Sequence, residues 1–161
     1  MHTLTPIPKR METPEDRERQ QAAREVVQKW LGDTYEVLPT ADYAHHDWEI
    51  WLIHDGKPVD VVYLGEYKYR NCASDEFDVH GGIAFSLKRY YRLRNNGTAF
   101  NCPVVVFFEF TDGLFYIRLS DLDPTKKTSI SRRVQREGST NETEDVLLIP
   151  SSLLIQIREK S

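Results

Sequence analysis

The chain has 161 residues with 21 Lys+Arg against 25 Asp+Glu, a net charge of −4, and is 40% hydrophobic and 29% charged. That is chain enough for one domain that buries roughly two thirds of its unfolded surface without staples, and the acid excess excludes a purely electrostatic nucleic-acid binder. Cys72 and Cys102 are too few for a disulfide framework, no run approaches the ~18 apolar residues of a membrane span, and the opening MHTLTPIPKRMETPEDR lacks a secretion signal's apolar core, so a reducing, cytoplasmic setting without membrane contact is expected.

Residues 1–12 read as a flexible N-terminal tail, followed by a single domain over 13–161. Thr13 can cap a helix from Pro14 to Leu31: Pro14 suits its first turn, Glu15 and Asp16 favour its positive end, and Gly32 stops it. Ala22, Ala23, Val26, Val27 and Trp30 form one apolar stripe on that helix. Two β-rich runs then flank a Gly/Pro turn, Asp47 to Ile53 and Val59 to Arg70, and predict a hairpin around His54-Asp55-Gly56-Lys57-Pro58.

Residues 71–80 read as a polar loop. A second helix is expected from Gly82 to Asn95-Asn96-Gly97, with Ile83, Leu87, Tyr90 and Tyr91 on its buried side. Val104 to Phe108 is the unbroken apolar run of a strand buried on both faces, and Leu114 to Leu119 returns beside it after the turn at Thr111-Asp112-Gly113. The polar stretch from Asp123 to Asp145 is too long for a tight connection and predicts a mobile basic loop. Val146 to Pro150 predicts a last strand, and Ser151 or Ser152 can cap a short closing helix. This order of elements predicts an α/β fold, a mixed central sheet flanked by helices.

The chemistry concentrates on Asp47, Glu66 and Lys68. Residues two apart on a strand share a face, so Glu66 and Lys68 point together while Tyr67 and Tyr69 point the other way. A four-residue loop over 55–58 places Asp47 directly opposite Glu66; a two-residue Asp-Gly turn places it opposite Leu64, still on the same face. Opposed carboxylates repel unless a cation lies between them. Two hard carboxylates suit Mg²⁺ or Mn²⁺, and a neighbouring ammonium can orient water and offset charge on a phosphate. Hydrolysis of a phosphodiester fits that combination; a charged surface ladder is the plain alternative. His45, His46, His54 and His80 have no recognised zinc spacing with either cysteine, and Cys72 with His80 lacks an orienting third group for nucleophilic work.

Asp47 early in one strand, Glu66-Tyr67-Lys68 late in the next, a helix before and a helix plus buried strand after resemble the PD-(D/E)XK nuclease superfamily over roughly Pro14 to Leu119. The resemblance implies a restriction-endonuclease-like αβββαβ core and a metal-dependent DNA nuclease. Asp47, Glu66 and the Tyr67 carbonyl would hold the metal, and Lys68 would assist the water. His46 stands where the motif's proline would precede the aspartate. The superfamily often adds a first-helix glutamate, for which Glu15, Glu18 and Glu25 are available and Glu18, on the border of the apolar stripe, is chosen.

The same resemblance places a phosphate-contacting residue on the second helix, at Lys88. Arg70 shares the strand face of Glu66 and Lys68 and offers a fork to phosphate. Arg89, Arg92, Lys126, Lys127, Arg132 and Arg133 complete the basic set expected to hold DNA, and the basic loop is a candidate clamp. Each has a solvated charged face as its plain alternative. A homodimer would supply two sites for two strands. The rival reading is a catalytically silent domain of the same fold that binds nucleic acid or assembles with partners. A compact chain of this kind suits a phage or mobile-element protein.

Overall fold

The computed structural model describes residues 13–40, 46–133 and 141–158; the expected tail at 1–12 lies outside them. Helix α1 spans Pro14–Leu31. Its N-terminus is closed by a reciprocal box in which Thr13 Oγ1 accepts from the Asp16 N–H at 3.1 Å and Asp16 Oδ2 accepts from the Thr13 N–H at 3.2 Å. Gly32 ends it at φ 79°, in the left-handed region where glycine carries no Cβ penalty.

Strand β1, Tyr35–Pro39, has no counterpart in the sequence reading. The segment YEVLP is short and buries only Val37, so its own pattern is weak. What makes it a strand is its neighbourhood: it pairs antiparallel with β2, Trp48–His54, and Gln28 of α1 ties it to the helix. Gln28 Nε2 donates to the Tyr35 carbonyl at 2.7 Å and the Gly32 carbonyl at 3.2 Å, and Oε1 accepts from the Val37 N–H at 2.8 Å.

Strand β3, Lys57–Tyr69, follows β2 through a two-residue turn with Asp55 at φ 51° and Gly56 at φ 75°, the positive pair that matches strand twist. Pairing starts at His54↔Lys57 and ends at Trp48↔Gly65, with irregularities at Ile50/Trp51 and Leu52/Ile53. At each of these one β3 residue, Val59 or Val62, is left without a partner. The turn is therefore the shorter of the two expected, while two bulges bring the register back to that of the longer one. One step beyond Trp48↔Gly65, Asp47 stands across from Glu66.

A four-residue strand, β4 (Ile83–Ser86), precedes helix α2 (Leu87–Phe100). This corrects the expected helix from Gly82. Ile83 and Phe85 alternate inward on a strand, and Ser86 caps the helix by accepting from the Arg89 N–H. Asn96 and Gly97 lie inside α2, and Asn101 forms the left-handed cap instead. Gly97 is a contact point: a Cβ there would lie 2.9 Å from the Cys102 carbonyl oxygen and from Val104 Cγ2.

Strand β5, Val104–Phe110, runs parallel to β3, from Leu64↔Val104 to Tyr69↔Glu109. Strand β6, Gly113–Arg118, returns antiparallel. Strands β7 (Thr128–Arg133) and β8 (Asn141–Ile149) pair with each other, and β8 pairs with β4. The stretch 123–145, expected as a mobile basic loop, thus holds β7 and the first part of β8, and its residues 134–140 lie outside the described residues. The closing element is a single 3-10 turn at Ser151–Leu153, whose Ser151 donates from N–H and Oγ to Asp78; strand β9, Ile155–Gln156, follows.

The main sheet has the order β1-β2-β3-β5-β6-β9 and the smaller one β4-β8-β7. On one face of the main sheet, Ala23 and Val27 of α1 pack with Trp48, Ile50, Val105 and Phe107. On the other, Leu87, Tyr90 and Leu93 of α2 and Phe85, Leu147 and Ile149 of the small sheet pack with Leu64, Val104, Val106 and Phe108. Strand β5 feeds both cores alternately, which is why its sequence is apolar at every position of 104–108.

Candidate active site

Glu66 and Lys68 lie near the end of β3, on the face that carries α2. Arg89, in the first turn of α2, donates from Nη1 to Glu66 Oε2 at 3.0 Å. Asp47 enters from the opposing strand, and its Oδ2 accepts from the Tyr67 N–H at 2.9 Å. Lys68 shares the face of Glu66 by strand alternation. The structure thus brings together the three residues singled out from sequence and adds Arg89.

Glu66 is 2% exposed, and its carboxyl is pushed up to about 8, chiefly by burial and then by the hydrogen bond and charge of Asp47. Lys68 and Arg89 oppose that rise. In the chain by itself, therefore, the protonated form of Glu66 is favoured, as expected for one of two closely opposed acids when no cation separates them. Burial holds the Lys68 ammonium below the usual lysine range; Arg89 and Arg70 add to that, while Glu66 and Asp47 counter it. The donor set fits a hard divalent cation: two facing carboxyl groups whose repulsion such an ion would relieve. Among the described residues no group of three or more His, Cys, Asp and Glu side chains gathers, so further ligands would come from backbone or water.

Other predicted residues lie elsewhere. Glu18 is exposed on α1, which packs on the opposite face of the sheet, and its charge is not among those acting on Glu66. Its neighbour Arg19 reaches the sheet instead, stacking 3.8 Å over the Tyr69 ring. Arg89, expected among the DNA-holding bases, is turned onto Glu66. Arg70 is half-buried; it donates to its own strand at the Tyr69 carbonyl at 2.9 Å and acts electrostatically on Lys68. Lys88 and Arg92 are exposed on α2. Lys126 and Lys127 are exposed, and Lys127 pairs with Asp145 at 3.2 Å. Arg132 and Arg133 occupy β7 opposite Glu142 and Asn141 in the register.

Sequence reading passed over two supports of the site. His46, in the place of the motif's proline, is 2% exposed. Asn96 of α2 meets its Nδ1 at 2.7 Å and Glu49 meets its Nε2 at 3.2 Å. Behind the sheet, the Tyr67 hydroxyl donates to Glu109 Oε1, and burial together with that carboxylate keeps the phenol protonated well above the usual tyrosine range. The partners Asn96 and Glu109 are distant in sequence, so only a polar residue breaking the apolar run of β5, Glu109, hinted at either support.

A first helix, three antiparallel strands, a second helix and a strand parallel to the third make the restriction-endonuclease-like core, here with β4 inserted before α2. The chain belongs to the family described as "Phage putative PDDEXK endonuclease", whose model matches residues 7–157. Membership places it among the nucleases, the class its core and acidic pair had pointed to. Among solved structures it is similar to Hjc, a Holliday junction resolvase from Archaeoglobus fulgidus, at 11% identity and a TM-score of 0.49, over 88% of this chain and 94% of that one. No curated protein matches. Among the described residues no helix is long and apolar enough to cross a membrane.

Proposed function

We propose that the chain hydrolyses DNA phosphodiesters with Mg²⁺ or Mn²⁺ bound at Asp47 and Glu66. The observation that carries this reading is a buried Glu66 facing a half-buried Asp47 beside a half-buried lysine, on one face of the sheet, in a member of an endonuclease family. The Tyr67 carbonyl, between Glu66 and Lys68 in the chain, is the third ligand proposed. When bound, the ion supplies Lewis-acid stabilisation of the scissile phosphate.

The chain's own residues do the remainder. Asp47, fixed by the Tyr67 N–H, and Glu66, fixed by Arg89, present their oxygens to a common point. Lys68, whose burial favours the neutral amine, orients the attacking water and can take or return its proton. Arg89 stays beside Glu66 and offsets negative charge building on the phosphate. Lys88, Arg70 and Arg92 are proposed to hold the DNA backbone next to the site, with Lys126, Lys127, Arg132 and Arg133 further out on and before β7.

The direct test is cleavage of duplex, single-stranded and branched DNA in Mg²⁺ or Mn²⁺. Cleavage is expected for the wild type and is abolished by Asp47→Asn and by Lys68→Ala; activity that survives both variants refutes the assignment. The internal satisfaction of Glu66 by Arg89 and Asp47 also suits a catalytically silent DNA-binding domain. Calorimetry with Mn²⁺ separates the two, since the silent domain binds no ion and keeps its DNA affinity in Asp47→Asn.

A further inference from the structure

We propose that Glu109 is a positioning residue for this site, acting through Tyr67 from the opposite face of the sheet to hold Asp47 against Glu66. The inference rests on the nuclease reading above for its catalytic consequence and on geometry for its mechanical one.

Asp47 lies one residue before β2; its N–H donates to the Gly65 carbonyl and its carbonyl accepts from the Thr40 N–H, both at 3.0 Å, and these bonds hold its main chain but do not orient its carboxylate. The backbone N–H of Tyr67 anchors that carboxylate at 2.9 Å. The peptide that orients Asp47 is thus the one between Glu66 and Tyr67, and any rotation of residue 67 moves both acids relative to each other. On the reverse face the Tyr67 ring is held at two points. It stacks on Trp48, the residue after Asp47, with centroids 5.5 Å apart and planes 23° apart. Its hydroxyl donates to Glu109 Oε1.

Glu109 is well placed for that role. It pairs with Tyr69 in the parallel β3/β5 register, which sets it diagonal to Tyr67 on the same face, and its carbonyl accepts from the Arg70 N–H at 2.9 Å. It is the only polar residue in the strand VVVFFEF. Packing would favour an apolar side chain there. A carboxylate at that point gives Tyr67 a directional partner, which a hydrophobic contact cannot. Cross-sheet support of this kind orients a metal ligand indirectly, and loss of such support typically costs 10–100-fold in metal affinity or activity.

The test uses Glu109→Ala, Glu109→Gln and Tyr67→Phe, each confirmed folded by near-UV circular dichroism. Amide hydrogen exchange on the metal-free chain is read first, because it does not depend on the nuclease reading. The N–H of residue 67 is expected to exchange about 10-fold faster in Glu109→Ala and Tyr67→Phe, with the Leu64 N–H unchanged as reference. Glu109→Gln, which keeps an acceptor oxygen, retains the wild-type rate. In the active protein, Mn²⁺ affinity and kcat fall about 10-fold in the same two variants with KM for DNA unchanged, and the double variant is no worse than either single one. Wild-type exchange at residue 67 in Glu109→Ala, or a loss in Glu109→Gln equal to that in Glu109→Ala, overturns the proposal. Altered exchange in a protein that neither binds Mn²⁺ nor cleaves DNA supports the mechanical coupling and refutes the nuclease reading instead.

Discussion

Replacing Glu66 by glutamine is expected to stabilise the metal-free chain while destroying its metal site. Burial and Asp47 raise the Glu66 carboxyl from the ordinary 4.5 to about 8 in the folded chain. The folded state therefore holds a proton that the unfolded state has released, and stability contributed at this site is lost as pH rises from above 4.5 through about 8. At about 1.4 kcal/mol per pH unit, the cost is about 3 kcal/mol at pH 7 and under about 1 kcal/mol at pH 5. Glutamine does not titrate: its oxygen can accept from Arg89 and its amide can donate to Asp47, reproducing the protonated acid at every pH. Urea unfolding in EDTA is the assay. With a slope of roughly 2 kcal/mol per molar, the midpoint of the Glu66→Gln variant should exceed wild type by about 1 M or more at pH 7 and by much less at pH 5. A difference that does not grow between those two pH values refutes the argument, because burial would then not be charging a proton cost at Glu66. Mn²⁺ titration of the same variant should show loss of binding.

Three further outcomes test the frame around the site. Gln28→Ala removes three hydrogen bonds that join α1 to β1 and its approach and should cost about 2–3 kcal/mol in chemical unfolding at about 1 kcal/mol each. Gly97→Ala places a Cβ 2.9 Å from the Cys102 carbonyl oxygen and Val104 Cγ2, pushing α2 off β5; a loss of about 1–3 kcal/mol is expected, read as a lower melting temperature. Gly56→Ala meets no atom within 4 Å but must adopt φ 75°, so about 1 kcal/mol is lost to backbone strain alone, with cleavage activity unchanged.

What the sequence determined by itself is what neighbours along the chain can decide. The Thr13 cap and Gly32 stop bound α1 because capping is settled within one turn. The apolar run of β5 announced a strand covered on both sides, and the two-residue period put Glu66 and Lys68 on one face whatever the turn. Asp47, Glu66 and Lys68 were legible for the same reason: their alignment needs only one hairpin. Tertiary structure decided the rest. YEVLP became β1 because β2 and Gln28 supplied its hydrogen bonds, and IAFS became a strand rather than a first helical turn because β8 lay beside it. The basic stretch before residue 134 reads as loop by composition, yet it pairs with the start of β8, from Thr128↔Val146 to Arg133↔Asn141, because β8 supplies its backbone partners. Arg89 faces Glu66, and Glu109 faces Tyr67, only because α2 and β5 pack against β3 from elsewhere in the chain. Local pattern named the acids and the lysine; packing chose the residues that hold them in place.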